Sequence, residues 1–214
     1  SASDEANDDR FGFSISVSGN SFAVGAPRAD AHGASSGNDG AVYVYTTTND
    51  GGSYTEEQLI RSTESGGTNT GDQFGKCVDL DGDTLAISAP TDEGTAGVAN
   101  TGSVEVWTRS KNISGNNVWN FSSLIEPTAT GQLFANGNES VSLSGDYLAI
   151  SHRNLAATSD VPSGGVHIYK RSGTSWSLLQ TIRAPVGLNS GHANNNNFGE
   201  TTVLKGQYLV ASFQ

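Results

Sequence analysis

Short stretches in which apolar and polar residues alternate give way to small-residue apolar runs, and this unit occurs four times along the chain. Phe13, Ile15 and Val17 alternate with Ser14, Ser16 and Ser18, the period-two pattern of a half-buried strand. Val78 and Leu80, Val141 and Leu143, and Thr202 to Leu204 are the counterparts of this strand A. A glycine-led turn follows each time, as Gly19-Asn20, Gly82-Asp83 and Gly145-Asp146, which suits a tight hairpin. Strand B is then Phe22-Ala23-Val24, Leu85-Ala86-Ile87, Leu148-Ala149-Ile150 or Leu209-Val210-Ala211, a run expected to be buried on both faces. Strand C is rich in β-branched and aromatic residues: Val42 to Tyr45, Val104 to Trp107 and Val166 to Tyr169. Strand D sets an aromatic six residues before an isoleucine, as Tyr54 to Ile60, Trp119 to Ile125 and Trp176 to Ile182.

The repeat is long and regular. The turn glycines Gly19, Gly82, Gly145 and Gly206 are separated by 63, 63 and 61 residues. Phe11-Gly12, Phe74-Gly75 and Phe198-Gly199 each begin eight residues before a turn glycine. In the third repeat Gly137 holds the expected Phe position and Phe134 lies three residues early, so a small insertion is expected there. A β-sandwich also uses short alternating strands, but it does not require a 63-residue echo of one four-strand pattern. A ring of four-stranded blades does. The fold expected is therefore an all-β propeller of antiparallel blades forming one unit over 1–214. Its blades fall at about 11–62, 74–126 and 134–184, with a half blade at 198–214. Such a chain is expected not to close by itself. It would belong to a longer propeller, or copies of it would complete one another head to tail.

These residues resemble the FG-GAP family, the blades of integrin α-subunit heads and of many secreted microbial and algal proteins. Phe11-Gly12 with Gly25-Ala26-Pro27 is the fullest match, and Phe74-Gly75 with Ser88-Ala89-Pro90 is close to it. The resemblance implies an extracellular or cell-surface location and roles in adhesion, in carbohydrate or protein binding, or beside a catalytic domain. Many integrin-type blades also hold calcium between strands A and B, on a loop spaced like Asp-x-Asp-x-Asp-Gly. Here the A–B connections are as short as Asp81-Gly82-Asp83, too short to wrap calcium with six or more ligands. Asp81 and Asp83 are instead expected to satisfy local backbone donors in the turn.

Composition narrows the choice further. With 22 acidic against 11 basic residues and a net charge of −11, the chain lacks the clustered Lys and Arg that bind nucleic acid. No apolar run is long enough to span a bilayer. The single cysteine, Cys77, falls in a strand and reads as a buried thiol. Oxygen-rich B–C loops carry Asp30 and Asp39 in one repeat and Asp92 and Glu93 in the next. Hard cations such as calcium take such ligands, and solvated loop acids are the competing reading. His32, His152, His167 and His192 accompany no nucleophile elbow, zinc-protease helix or phosphate loop, so no enzyme is expected. Trp107, Trp119, Trp176, Tyr43, Tyr45, Tyr54 and Tyr169 recur at equivalent positions, which favours packing between blades over sugar stacking.

The function expected is a non-catalytic extracellular adhesion, surface or filament module acting on other protein chains, copies of itself included. A lectin-like propeller that binds glycans and an accessory propeller of a larger secreted enzyme are the alternatives. Three sequons mark candidate glycosylation sites at Asn112, Asn120 and Asn138. Asn112 lies in a polar C–D loop and should be occupied first, then Asn120 on outer strand D, then Asn138 near strand A. Glycopeptide mass spectrometry of native material checks this order; an unmodified Asn112 beside a modified Asn138 would reverse it.

Overall fold

The computed structural model describes residues 8–30, 37–48, 52–63, 71–94, 101–127, 134–136, 140–152, 155, 164–183 and 198–212. Among them every regular element is a β-strand. The first sheet has the order β1 (Ser14–Ser18), β2 (Ser21–Ala26), β3 (Ala41–Thr46), β4 (Thr55–Ile60). The second has β5 (Val78–Asp81), β6 (Thr84–Ala89), β7 (Ser103–Lys111), β8 (Asn117–Ile125). The third has β9 (Val141–Ser144), β10 (Tyr147–His152), β11 (Gly165–Ser172), β12 (Ser175–Arg183). A two-stranded sheet of β13 (Thr202–Lys205) and β14 (Tyr208–Ala211) completes the row. All pairings between these strands are antiparallel. Among the described residues the fold is a partial propeller of three four-stranded blades and a half blade, with no sheet closing on itself. Strands β1, β5, β9 and β13 lie innermost and line an axial cavity of ≈ 350 Å³.

Local chemistry explains these elements. Gly19, Gly82, Gly145 and Gly206 all have φ between 56° and 58°, as the first central residue of a type II′ hairpin turn requires. Strand β6 is buried along its whole length, which accounts for its small and apolar residues. Each C–D pair carries one bulge at the same place, after Val44, Val106 and Ile168. Bulges increase strand twist, and this one recurs at the same step of every complete blade. In the third blade Phe134 is fully buried, and Ala135 takes φ 55° where Gly12, Gly75 and Gly199 stand elsewhere. The Ala135 N–H donates to Ser151 O as the Gly75 N–H donates to Ser88 O. The expected insertion thus follows Phe134, which keeps its packing role.

The blades are joined by side chains that replace the missing backbone partners of each inner strand. Ser16 Oγ accepts the Leu80 N–H at 3.0 Å and Ser18 Oγ the Gly82 N–H at 3.0 Å. One blade on, Asp79 accepts the Leu143 N–H at 2.6 Å and Asp81 the Gly145 N–H at 2.7 Å. At the last joint Ser142 and Ser144 accept from Leu204 and Gly206 at 3.0 and 2.9 Å. The relay stops on β13, where Val203 and Lys205 hold the acceptor positions. Asp81 therefore serves a backbone donor 64 residues away, not a local one. Asp83 grips a side chain, that of Arg109, at 2.7 Å. The sequence expectation for both residues is corrected: the inner strand leaves the N–H groups of its axial edge open, and the neighbouring blade presents one of those donors to Asp81.

Two further contacts hold the outer parts. Arg109 reaches from Asp83 to Ser21 of the preceding blade and lies over the Trp119 ring. Arg171 repeats this with Asp146, Thr84 and Trp176. The Gln58 side chain pairs with both the N–H and the C=O of Trp119, as a neighbouring strand would. Between the sheets, Ala23, Val42, Val44 and Ile60 meet Phe74, Leu80, Ile87 and Trp119, and the next interface repeats the arrangement around Phe134.

A glycine before each strand C lies against the incoming Phe backbone. Gly40 has φ 92°, and a Cβ there would land on the carbonyl oxygen of Phe74. Gly19 has a similar backbone restriction, but its Cβ would meet nothing within 4 Å. Gly19→Ala should therefore cost only the left-handed strain of about 1–2 kcal/mol. Gly40→Ala adds a backbone clash and should cost about 2–5 kcal/mol in total. Urea unfolding of the two variants checks the order; equal losses would show that the Gly40–Phe74 approach is not constrained.

Candidate functional site

Three acidic residues converge at the rim of the second blade. Asp92 and Glu93 follow β6, and Asp72 precedes Phe74. The Thr91 hydroxyl and N–H donate to the carbonyls of Gly71 and Asp72, which fixes the two segments side by side. One carboxylate oxygen of each acid lies within 4.8 Å of the others. Asp72 and Asp92 are buried, and Glu93 is half-buried. Asp92 Oδ1 accepts the Gly94 N–H at 2.9 Å, whereas Asp92 Oδ2 and Glu93 Oε2 are buried without a hydrogen-bond partner. Among the described residues this is the one such cluster of potential metal ligands. Asp30 stands apart from it and accepts the N–H groups of Gly37 and Asn38. Asp39 also lies outside it, with a buried Oδ1 of its own that lacks a partner. Sequence reasoning missed Asp72 because its place beside Asp92 depends on a contact across a loop.

The two ends of the row of blades form a second feature. On the leading face Val17 is 69% exposed, although its counterparts Leu80 and Leu143 are 4% and 5% exposed. Phe11, Phe13 and Ile15 are exposed beside it. On the trailing face of the half blade Val203, Tyr208 and Val210 are exposed. The interior blades bury the counterparts of Ile15, Val17 and Val210, namely Val78 and Val141, Leu80 and Leu143, and Ala23, Ala86 and Ala149.

Other candidates lie elsewhere. Asn112 is exposed, and its Oδ1 accepts the N–H groups of Ser114 and Asn116. Asn120 is exposed too, but its Nδ2 already donates to Ser110 and Val118. Asn138, His32 and His192 lie outside the described residues. Cys77 is buried, and burial pushes its thiol up. Trp119 is buried and donates to Glu57 of the preceding blade at 2.7 Å. The buried Glu105 carboxylate accepts from Ser62, Thr63 and Trp107. Burial pushes that carboxyl up, and its donors oppose the shift.

His152 and His167 are buried together, Nδ1 to Nε2 at 3.4 Å. Burial, then His167, then Arg183 push His152 down to about 3, and burial followed by Arg183 lowers His167. An unfolded His titrates near 6.5. The His152 contribution is thus full above that value and is lost as pH falls from 6.5 towards 3. His152→Ala, which installs the residue of Ala26 and Ala89, should remove it. The stability difference between the wild type and this variant should shift against the wild type by about 2 kcal/mol between pH 7 and pH 5. Urea midpoints at the two pH values check this; a difference independent of pH would mean that His152 titrates normally in the fold.

Residues 1–45 and 64–106 match the FG-GAP repeat family. No curated protein matches the chain in sequence. Among solved structures, the crystal structure of the Saccharomyces cerevisiae Sqt1 is similar at a TM-score of 0.47 and 10% identity. The match covers 89% of this chain and 38% of that one, so the chain spans well under half of that protein's length. The first two blades thus carry FG-GAP repeats, and the third blade follows the same strand plan.

Proposed function

We propose that this protein is a non-catalytic extracellular module of the adhesion or surface-structure type, acting through contacts between its end blades and other protein chains. The observation that carries this reading is the pair of exposed apolar faces, Phe11 to Val17 at one end and Val203 to Val210 at the other. Contiguous apolar patches of this kind mark protein–protein contacts on soluble proteins. The interior joints show what such a face accepts: the opposite face of another blade, as where Leu80 packs on Ala23 and Val42. A further blade of the same polypeptide satisfies this chemistry, and so does a copy of the chain meeting it end to end, with closing contacts giving a ring and non-closing contacts a filament. The resemblance to FG-GAP blades of extracellular adhesion-type proteins supports the location.

Light scattering across a concentration series checks the proposal. The wild type should associate, and Ile15→Asp with Val17→Asp should abolish association while leaving the fold intact, because both side chains are exposed. A wild type that stays monomeric at every concentration, or association that the two aspartates leave unchanged, would contradict end-face contact. Finding the native protein in the cytosol would contradict the location.

A further inference from the structure

We propose that Asp72, Asp92 and Glu93 form a calcium site that ties the entry of the second blade to its B–C loop. Proximity of the acids is only part of the case. Asp92 is 3% exposed, and its Oδ2 lies in the interior with no donor, as does Glu93 Oε2. A buried carboxylate oxygen without a hydrogen bond is rare in folded proteins and calls for a partner. Here two such oxygens lie on adjacent residues beside a third acid, in a chain already carrying a net charge of −11. A cation answers both the missing partner and the mutual repulsion.

The ligand set selects the kind of cation. All three ligands are carboxylate oxygens, which suit hard cations, and the set includes no His or Cys of the kind that favours zinc. Calcium binds oxygen at about 2.3–2.6 Å, so oxygens on opposite sides of it stand about 4.6–5.2 Å apart. Three oxygens all within 4.8 Å of one another can reach a single ion of this size. Magnesium, at about 2.0–2.1 Å and strictly octahedral, keeps several waters and is usually held by only one or two carboxylates. The site also differs in place from the A–B hairpins, which Gly82 and its equivalents close in two residues. It joins segments before strand A and after strand B, already held together by Thr91 on Gly71 and Asp72. Binding would therefore stabilise the entry of the second blade against its own B–C loop.

The test uses the 214-residue chain freed of metal with a chelator and titrated calorimetrically with calcium chloride, then with magnesium chloride. Calcium should give a saturable one-site isotherm. At about a hundredfold excess over the dissociation constant it should raise the Tm by about 5–10 °C. Asp92→Asn with Glu93→Gln should abolish both the heat and the calcium-dependent rise. In chelator the same variant should melt no lower than the wild type, because the repulsion has been removed. Absence of calcium heat and of any Tm rise in the wild type would overturn the proposal, whatever the variant does. Calcium binding that survives both substitutions would overturn the site, and an equal response to magnesium would overturn the choice of ion.

Discussion

The inner strand of a propeller blade has only one backbone neighbour, so every second N–H along it points towards the axis with nothing to bond. Left open, such an edge invites association and exposes polar backbone in a crowded interior. Here the neighbouring blade supplies the acceptors. Ser16, Ser18, Asp79, Asp81, Ser142 and Ser144 stand at two equivalent positions and take the N–H groups of the following inner strand. At the second joint these acceptors are carboxylates, and burial pushes Asp79 up even as the Leu143 N–H and the Ser16 hydroxyl pull it back. The outer edge is treated alike where Gln58 imitates a strand beside Trp119.

Much of the remaining structure follows from this constraint. The alternation along strand A is shaped on both faces: Leu80 and Leu143 face one neighbour as apolar packing, while Asp79 and Ser142 face the other as acceptors. Strand B must then be small, since Ala23, Ala86 and Ala149 are fully buried where sheets meet. The Arg109 and Arg171 contacts lock the rim opposite the acidic cluster, each through an aspartate in its own turn and a hydroxyl in the blade before. Where a blade has no described neighbour, the same residues stand in the open, as Ile15 and Val17 do.

The strands, turns and blade boundaries were legible because each depends on local pattern. Period-two alternation, glycine with positive φ and the 63-residue spacing survive in the sequence whatever lies opposite. The insertion after Phe134 was legible as well, because the flanking Phe and strand pattern bracket it. The chemistry between blades was not. Asp81 and Asp83 look alike in a turn, yet one serves the next blade and the other an arginine of its own sheet. Asp72 could be placed beside Asp92 only once Thr91 was seen to bond Gly71. Pairings of this kind depend on how neighbouring segments and sheets are set against each other, which no short window of sequence encodes.

Native-state hydrogen exchange at the inner-strand amides tests the account most directly, at a dilution where the chain is monomeric. The amides of Leu80, Gly82, Leu143 and Gly145 should exchange slowly, because side-chain acceptors of the preceding blade cover them. The equivalent amides of Val17 and Gly19, with no described blade in front of them, should exchange close to the rate of an open strand edge. Equal protection at Val17 and Leu80 would mean that something other than the side-chain relay seals the inner edge, and would contradict the account.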